Sequence, residues 1–409
     1  MAVDYDPFSD SVMSDPFPAY REMRAEGCPH YIESRRAWAL TRFSDVWKAS
    51  LDESALDYTH GQTPGQLLLG EPCPTTFMTM NVPDHRRWRA FLTPFYSQEA
   101  IDTEAPRIRA LVSKILQPLL SSGKFDVYRD FANRVMCHNV GHDLGFTEEQ
   151  SEEFRALIDD MQHRERGQVG GGSQRNQAAA GTLFGALAAH VANLRHNPTL
   201  VVRQTKALID AEVDGRRLSD QELTFYLFSL LVTGSETTPL SVACTIYLLA
   251  QHPDQKAQVL ADQSLIPAAY RETLRLYQPT NMLARRARRD FSLSGKEIKT
   301  GDNLLFVYAS ANRDEERFTD AEQFDIHRDG PRDLTFGIGG HVCLGANLAP
   351  VAGRIMLEEL LAGVGDYALV EAECETAYGE FLLGFTRVPI RFHRKDPAQD
   401  DFGRDRMGD

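Results

Sequence analysis

Residues 336–345 place a single cysteine, Cys343, in a glycine-rich segment. Three glycines precede this cysteine and one follows it, and glycine permits positive φ and close approach of the backbone to a flat partner. The apolar run 344–363 predicts a helix directly afterwards, whose first N–H groups would lie near the sulfur and favour a thiolate. One cysteine cannot complete a structural zinc site, but one thiolate can serve as the axial ligand of haem iron. An isolated free cysteine is more often structural.

A second polar segment, Thr-Gly-Ser-Glu-Thr-Thr at residues 233–238, interrupts a long apolar helix predicted over residues 223–251. Glycine costs a helix about 1 kcal/mol relative to alanine. Pro239 cannot donate to the carbonyl of Ser235, which leaves that carbonyl free. The helix is therefore expected to loosen and to open a groove at its middle. The structural alternative is a kink in which Glu236 pairs with a buried arginine.

Charged residues in other segments are spaced so that they could form a buried ion pair or bind a charged ligand. Glu272 and Arg275 are three residues apart and share one face of a predicted helix, although such pairs usually lie at the surface. His85 and Arg89 are four residues apart on another predicted helix, and Arg285 follows a proline. Two partly buried carboxylates of a ligand would require paired donors of this kind. Each of these residues singly is more often a surface or packing residue.

Together these segments resemble the cytochrome P450 family. Residues 233–238 resemble its oxygen-binding motif, and residues 272–275 resemble its ExxR helix. The resemblance runs from about Asp6 to about His393, which implies one haem-thiolate domain over residues 6–394. The implied fold is mainly α with a small β region, in the single triangular arrangement of that family. The cysteine segment fills every fixed position of the family's haem-binding loop: Phe336, Gly337, Gly339, His341, Cys343 and Gly345.

The resemblance implies that the Cys343 thiolate is the axial ligand of haem b. Arg285 falls where the family places an arginine for the haem carboxylates, and Arg286 would replace it if the register slips by one. The residues expected to contact the haem are His85, Arg89, Gly234, Arg285, Phe336, Gly337, His341 and Gly345.

The resemblance also implies roles for two acidic motifs. Glu236 and Thr237 would act in catalysis by delivering protons for O2 activation. Glu272 and Arg275, with Arg328 as a third partner, would brace the protein core beneath the haem.

The chain departs from the family pattern at two places. Thr233 stands where the family often has alanine or glycine, which would add a polar group to the pocket. Pro350 and Ala352 follow the haem loop where the family usually has arginine and glutamate. A proline inside that helix would remove a hydrogen bond to Ala346 and bend it. Family contacts to a redox partner are therefore not carried over to this face.

The implied activity is that of a monooxygenase that activates O2 with two electrons from NAD(P)H. The electrons would come through a separate ferredoxin and ferredoxin reductase, or through a flavodoxin. The substrate would be a hydrophobic small molecule that is hydroxylated or epoxidised. The alternatives are a peroxide-driven haem-thiolate enzyme, another oxidative tailoring reaction such as C–C or C–O coupling, and a non-catalytic haem sensor.

The segments that face the substrate pocket in the family are mostly apolar here. Asn281 and Thr233 are the two polar anchors expected among them, and each of these residues could instead belong to the core. The residues expected in the substrate pocket are Met78, Met80, Leu230, Thr233, Asn281, Met282, Leu283 and Leu382.

Composition narrows the class of protein further. The chain has 409 residues and a net charge of −14, which argues against nucleic-acid binding because that needs a basic surface. Its six cysteines are too sparse for a disulfide scaffold, which favours a reducing, cytoplasmic compartment. Residues 1–20 lack both the basic start of a signal peptide and the apolar run of an anchor. We therefore expect a bacterial-type protein, soluble and monomeric, with no membrane partner.

Several segments carry weaker expectations. The glycine-rich stretch 167–177 is expected to be a flexible loop over the substrate entrance, and residues 395–409 are expected to be a disordered tail. Alternating residues in 291–308 and in 381–392 predict two strand pairs. A Ser-x-x-Glu capping box at 219–222 predicts the start of the long helix.

Overall fold

The structure is a computed structural model that describes residues 4–393. Most of the described chain is helical, which confirms the predicted mainly α class with a small β region. The α-helices are α1 (Asp10–Ser14), α2 (Phe17–Glu26), α3 (Phe43–Leu51), α4 (Pro64–Leu69), α5 (Asp84–Ala90), α6 (Gln98–Leu120), α7 (Asn133–Leu144), α8 (Glu148–Gln162), α9 (Gln174–His196), α10 (Arg203–Asp210), α11 (Asp220–Gln251), α12 (Pro253–Ala261), α13 (Ile266–Leu276), α14 (Tyr308–Ala311) and α15 (Leu348–Val364).

The strands form one five-stranded sheet and several small ones. The large sheet has the order β1-β2-β10-β7-β3, and a three-stranded sheet has the order β11-β14-β4. The strands are β1 (His30–Ile32), β2 (Ala37–Leu40), β3 (Leu56–Asp57), β4 (Lys124–Asp126), β5 (Glu212–Val213), β6 (Arg216–Arg217), β7 (Leu283–Ala287), β8 (Phe291–Leu293), β9 (Lys296–Ile298), β10 (Asn303–Phe306), β11 (Tyr367–Leu369), β12 (Glu375–Thr376), β13 (Phe385–Arg387) and β14 (Pro389–Phe392).

The long helix α11 is the centre of the helical part. It begins at the predicted capping box, where the Ser219 hydroxyl accepts from the N–H of Glu222 and the Glu222 carboxylate accepts from the N–H of Ser219. Apolar residues surround it because α7, α9, α13 and α15 all pack against it. The helix continues without a break through Pro239. The Ser235 carbonyl that Pro239 leaves free instead accepts a hydrogen bond from Asn133 Nδ2 at 3.4 Å. The helix is therefore unbroken where the sequence predicts loosening, and a local loosening around the Ser235 carbonyl stays a prediction.

The strand predictions are correct only in part. β8 and β9 form the predicted hairpin, turning at Ser294 and Gly295, which both have positive φ. β10 does not extend that hairpin and instead pairs with β2 and β7. β13 and β14 do not pair with each other, because the one residue between them is too few to reverse the chain. β13 pairs with β12, and β14 lies between β11 and β4.

The helix after the cysteine starts later than the sequence predicts. Leu344 is the first residue of the apolar run, but α15 begins at Leu348, and the residues between form turns. Pro350 is therefore the third residue of the helix. The N–H of Ala349 donates to the carbonyl of Gly345, four residues earlier, at 2.9 Å. Pro350 has no N–H with which to continue this pattern to Ala346. The predicted missing hydrogen bond is therefore consistent with the structure, although Pro350 lies in the first turn of the helix and not in its interior.

Within residues 4–393, no helix is long and apolar enough to cross a membrane. The tail predicted over residues 395–409 lies outside the described residues.

Candidate active site

The Cys343 loop is closed by its own backbone. The N–H of Cys343 donates to the carbonyl of Phe336 at 2.9 Å, and the N–H of Gly337 donates to Leu334. Gly337 and Gly339 have positive φ, of 68° and 82°. A Cβ at Gly339 would meet the Ser50 carbonyl oxygen at 2.5 Å. Only glycine therefore lets this loop lie against the neighbouring helix α3.

The Cys343 sulfur faces an internal cavity of about 280 Å³. Burial raises the pKa of its thiol, while the N–H of Gly345 and the charge of Arg89 act in the opposite direction. The N–H of Gly345 that acts on the sulfur lies in the turns before α15, which begins at Leu348. A cation bound at the sulfur would stabilise the thiolate further.

A column of stacked side chains lines one side of the cavity. The ring of His341 lies between Tyr58, with centroids 3.6 Å apart, and His85, at 3.8 Å. The Arg285 guanidinium carbon lies over the Tyr58 ring, 4.6 Å from its centroid. Burial, with the nearby charge of Arg89, lowers the pKa of His85 to about 4. Burial, with the neighbouring His85 and Arg285, lowers the pKa of His341 to about 2. Both imidazoles are therefore neutral at pH 7.

Several polar side chains on this side of the cavity lack a hydrogen-bond or ion-pair partner among the described residues. Among residues 4–393, neither ring nitrogen of His85 has a hydrogen-bond partner, and the same is true of His341 Nε2. Within the same range, neither Arg89 nor Arg285 forms an ion pair with a carboxylate. Buried polar groups are normally satisfied, so the cavity fits a ligand that brings two carboxylates. Haem has two carboxylates, a flat apolar ring and an iron that takes one thiolate. The donor set and Cys343 therefore fit haem.

Glu272 lies at the centre of a buried charge cluster beneath the loop. Its carboxylate accepts two hydrogen bonds from Arg275, at 2.9 and 2.7 Å, and one from Arg328 at 2.9 Å. The exposed fractions of the Glu272 and Arg275 side chains are only 4% and 3%. Arg275 also donates to the carbonyls of Asn312 and Ala321. The pair is therefore a buried clamp on the segment before the cysteine loop, and the surface alternative is wrong.

The middle of α11 forms the opposite wall of the cavity. The hydroxyl of Thr237 donates to the Thr233 carbonyl at 3.2 Å, and the hydroxyl of Thr233 donates to Ser229 at 2.7 Å. Glu236 is buried and is one of the residues that line the cavity. Burial, followed by the nearby charge of Asp159, raises the pKa of Glu236 to about 8. Glu236 is therefore protonated at pH 7, and among residues 4–393 it forms no ion pair with an arginine, which contradicts the ion-pair alternative.

Gly234 lines the cavity and packs closely against Val140 of α7. A Cβ at this position would meet Val140 Cγ2 at 2.8 Å.

Overpacking at Gly234 would cost about 1–3 kcal/mol, whereas alanine gains about 1 kcal/mol of helix propensity over glycine. We therefore expect Gly234→Ala to lower the free energy of unfolding by about 1 kcal/mol. In a Val140→Ala background the clash is gone, and the same change should be neutral or stabilising. Urea unfolding of the wild type, the two single variants and the double variant measures the coupling between the two positions. An equal change in unfolding free energy from Gly234→Ala in both backgrounds would contradict the clash with Val140.

The structure brings most of the predicted site residues to the cavity, but not all of them. Every residue predicted to contact the haem lines the cavity, as do Cys343, Glu236 and Thr237. Of the predicted substrate-pocket residues, five line the cavity: Met78, Leu230, Thr233, Leu283 and Leu382.

The other three predicted pocket residues do not line the cavity. Asn281 is buried, accepting from the Tyr20 hydroxyl at 2.9 Å and donating to the Glu380 carbonyl at 3.0 Å. Met282 is fully buried in an apolar cluster. Met80 packs against another cluster, and its backbone carbonyl accepts a hydrogen bond from His341. Asn281 is a core residue, because its amide satisfies buried polar groups.

Sequence reasoning missed three residues next to the site. Tyr58 stacks on His341, and Tyr128 and Asn133 both contact the Glu236 carboxyl. No local motif marks any of them, because each meets its partner only through the fold.

Comparisons with known proteins point to a single family. The sequence profile of the family described as Cytochrome P450 matches residues 183–363. A Mycobacterium tuberculosis protein assigned as cytochrome P450 123 is 32% identical over 94% of this chain and 96% of its own length. The vitamin D(3) 25-hydroxylase of Pseudonocardia autotrophica is 30% identical over the same shares of the two chains. Among solved structures, cytochrome P450 CYP109Q5 from Chondromyces apiculatus has a TM-score of 0.84 and 26% identity, covering 97% of this chain and all of its own.

Proposed function

The chain belongs to the cytochrome P450 family and is a monooxygenase, and from this we propose that it hydroxylates or epoxidises a hydrophobic small molecule with O2. The observation that carries the proposal is one cavity that joins three features: the Cys343 sulfur, the unpaired donors that suit two carboxylates, and the Glu236–Thr237 pair on the opposite wall. The last of these features supports the dependence on O2, because O2 must receive protons from the protein.

The proposal assigns a role in haem binding or proton delivery to each main residue of the site. Haem with a thiolate axial ligand supplies the chemistry of O2 activation when it is bound. Cys343 would hold the iron, and Arg89 and Arg285 would hold the carboxylates, with the neutral imidazoles of His85 and His341 as further donors. Glu236 keeps a proton on its carboxyl at pH 7, and the Thr237 hydroxyl lies one residue further along the same wall of the cavity.

The substrate side of the cavity is mainly apolar. Met78, Leu230, Leu283 and Leu382 line it, and Thr233 is one of the polar residues of the lining. Apolar walls with few polar groups suit a hydrophobic ligand and exclude water. One relative is named for hydroxylation of vitamin D(3), and another, in Mycobacterium tuberculosis, for hydroxylation of a dihydromenaquinone. A polycyclic or isoprenoid hydrocarbon skeleton is the substrate class that we propose.

The electrons would come from NAD(P)H through a separate ferredoxin with its reductase, or through a flavodoxin. Two other uses of a haem-thiolate centre define the alternatives to be tested: turnover driven by hydrogen peroxide, and gas sensing without a product. The acid–hydroxyl pair of Glu236 and Thr237 favours O2 over peroxide, since hydrogen peroxide already carries its two protons.

The test is a reaction of the haem-loaded protein with vitamin D3 under isotopically labelled O2. Ferredoxin, ferredoxin reductase and NADPH supply the electrons, and mass spectrometry detects the product. We expect one labelled oxygen atom per product molecule, and a slower reaction when hydrogen peroxide replaces the reductase system. Testosterone, a smaller polycyclic probe, is run in parallel.

Product formation that is faster with peroxide would favour the peroxide-driven alternative. Carbon monoxide binding without product from either probe or either electron source would favour a sensor. An oxidised product without labelled oxygen would indicate a coupling reaction.

A further inference from the structure

Tyr58 contacts two of the donors that line the cavity. Its ring is stacked on the His341 imidazole, with centroids 3.6 Å apart and planes only 7° from parallel. The guanidinium carbon of Arg285 lies 4.6 Å from the centroid of the same ring. Burial raises the pKa of the Tyr58 hydroxyl, so the phenol is neutral at pH 7 and its contact with Arg285 is a cation–π interaction. One flat side chain therefore contacts both donors.

The place of Tyr58 beside Arg285 follows from the pairing of two strands. Asp57, at the end of β3, is paired with Arg286 of the antiparallel strand β7. The next step of this register puts Tyr58 opposite Arg285, and side chains that lie directly opposite in such a pair contact each other. The N–H of Tyr58 donates to Asn81 Oδ1 at 2.9 Å, which fixes the backbone at this position. The ring is therefore held by contacts on the strand pair and on the segment before α5.

Met80 and Asn81 hold the three stacked rings together. The carbonyl of Asn81 accepts from the N–H of His85 at 3.0 Å, while its side chain accepts from the N–H of Tyr58. These are the two residues whose rings enclose the imidazole of His341. The Met80 carbonyl accepts a hydrogen bond from one nitrogen of that imidazole. The other nitrogen, Nε2, is buried and has no partner among residues 4–393, so the imidazole is fixed with one nitrogen free for a ligand.

The Arg285 side chain is buried, with few partners besides the Tyr58 ring. Its Nη1 donates to the carbonyl of Ala284 at 2.6 Å, and in the part of the chain that the structure describes no carboxylate pairs with it. Buried arginines are normally paired with an acid. A π face stabilises the cation without neutralising it. The guanidinium therefore keeps its full charge for an anionic group that a ligand brings.

We propose that Tyr58 is a positioning residue for haem binding, whose ring holds the His341 imidazole and the Arg285 guanidinium in place for the haem carboxylates. Neither contact uses a carboxylate of the protein, so both donors remain available when haem enters. A side chain that is ordered in advance loses less conformational entropy on binding, and residues that orient the groups around a metal site change its affinity by about 10–100-fold. The proposal rests on the proposed function, in which haem occupies this cavity.

The first test measures how fast the haem-loaded protein loses haem to an excess of apomyoglobin, and it needs no substrate. Tyr58→Leu removes the ring but keeps an apolar side chain, and we expect haem to leave at least about tenfold faster than from the wild type. Tyr58→Phe keeps the π face and should stay within about threefold of the wild type. Tyr247→Leu is the matched control and should release haem at the wild-type rate. Tyr247 is stacked on Phe385, with centroids 3.9 Å apart, but does not line the cavity.

A second cofactor separates positioning from ordinary packing. Haem dimethyl ester has the same ring and iron, but both carboxylates are methyl esters, so it lacks the charges that paired donors bind. The wild type should lose the ester faster than it loses haem. In Tyr58→Leu the release of the ester should change by less than about twofold, because the donors that Tyr58 holds no longer have a charged partner. Equal acceleration of the release of both cofactors would indicate a loss of packing alone and would overturn the proposal.

Asn81→Ala tests the proposal even if Tyr58→Leu fails to fold. This change removes the amide oxygen that accepts from the N–H of Tyr58 and leaves every ring of the stack in the chain. We expect faster release of haem from this variant and an unchanged release of the ester. Release of haem at the wild-type rate from both Asn81→Ala and Tyr58→Leu would overturn the proposal. Equal acceleration in Tyr58→Phe and Tyr58→Leu would also overturn it, because the ring would then not be what holds the donors.

The same variants separate this proposal from the proposed function. A protein that forms no product from either probe or either electron source would refute the proposed function, while the rates of haem release would still test the role of Tyr58. Product formation by the wild type, together with unaltered haem release in the Tyr58 variants, would refute only the role of Tyr58.

Discussion

Replacing Cys343 by serine is expected to abolish the thiolate spectrum of the reduced, carbon-monoxide-bound protein. The thiolate donates electron density to the iron and favours O–O cleavage, whereas a serine hydroxyl at this position is a weak and neutral ligand. The wild-type protein should show a red-shifted Soret band, and the variant should show the band of an ordinary haemoprotein or no haem. Because loss of an outer-shell partner alone costs metal sites 10–100-fold, loss of the ligand should lower turnover by more than about 100-fold.

The chain offers a matched control for this change. Cys73 is a free, partly buried cysteine that does not line the cavity. Cys73→Ser should therefore keep the red-shifted band and the turnover of the wild type. A red-shifted band that survives in Cys343→Ser would show that another residue ligates the iron. A wild-type protein that binds haem without such a band would refute the assignment of the site itself.

The comparison of sequence and structure shows which parts of the site are local. The Phe336–Gly345 spacing, the capping box at Ser219 and the pair of Glu272 with Arg275 were predictable, because each motif is complete within ten residues. Their chemistry depends on hydrogen bonds between near neighbours, and such bonds follow from spacing.

The parts that could not be predicted depend on contacts between distant segments. Tyr58 stacks on His341 only because β3 and the cysteine loop meet at the cavity. Asn281 resembled a polar anchor in an apolar segment, yet Tyr20 and Glu380 bring its amide into the core. A single sequence shows that a polar residue needs partners, but it does not show which distant segments supply them.

The start of α15 shows that a helix boundary is harder to predict from the sequence than the helix itself. Apolar composition continues from Leu344 into the helix, so composition alone places the helix start too early. In the turns before Leu348, Asn347 Nδ2 donates to the carbonyl of Tyr96 at 2.9 Å, which is again a long-range contact. Element type was predictable here, whereas the residue at which the helix begins was not.

Neutralising the buried carboxylate of Glu272 is expected to be the most destabilising single change considered in this protein. Glu272→Gln leaves Arg275 and Arg328 without a counter-charge, and breaking a buried pair in this way costs about 3–5 kcal/mol. The effect should reach the haem loop through a chain of hydrogen bonds. Arg275 holds the Asn312 carbonyl, and the Asn312 side chain accepts from the N–H of Leu334, two residues before the loop.

Glu375→Gln is the matched control, because Glu375 also accepts from two arginines, Arg129 and Arg387, but is 48% exposed. Exposed pairs contribute about 1 kcal/mol or less. Urea unfolding should therefore show a loss for Glu272→Gln that exceeds the loss for Glu375→Gln by at least about 2 kcal/mol. The haem content of the purified Glu272 variant should also fall, since its loop is no longer held. Equal losses in the two variants would mean that the cluster does not brace the loop and that the buried charges are satisfied by the carbonyls around them.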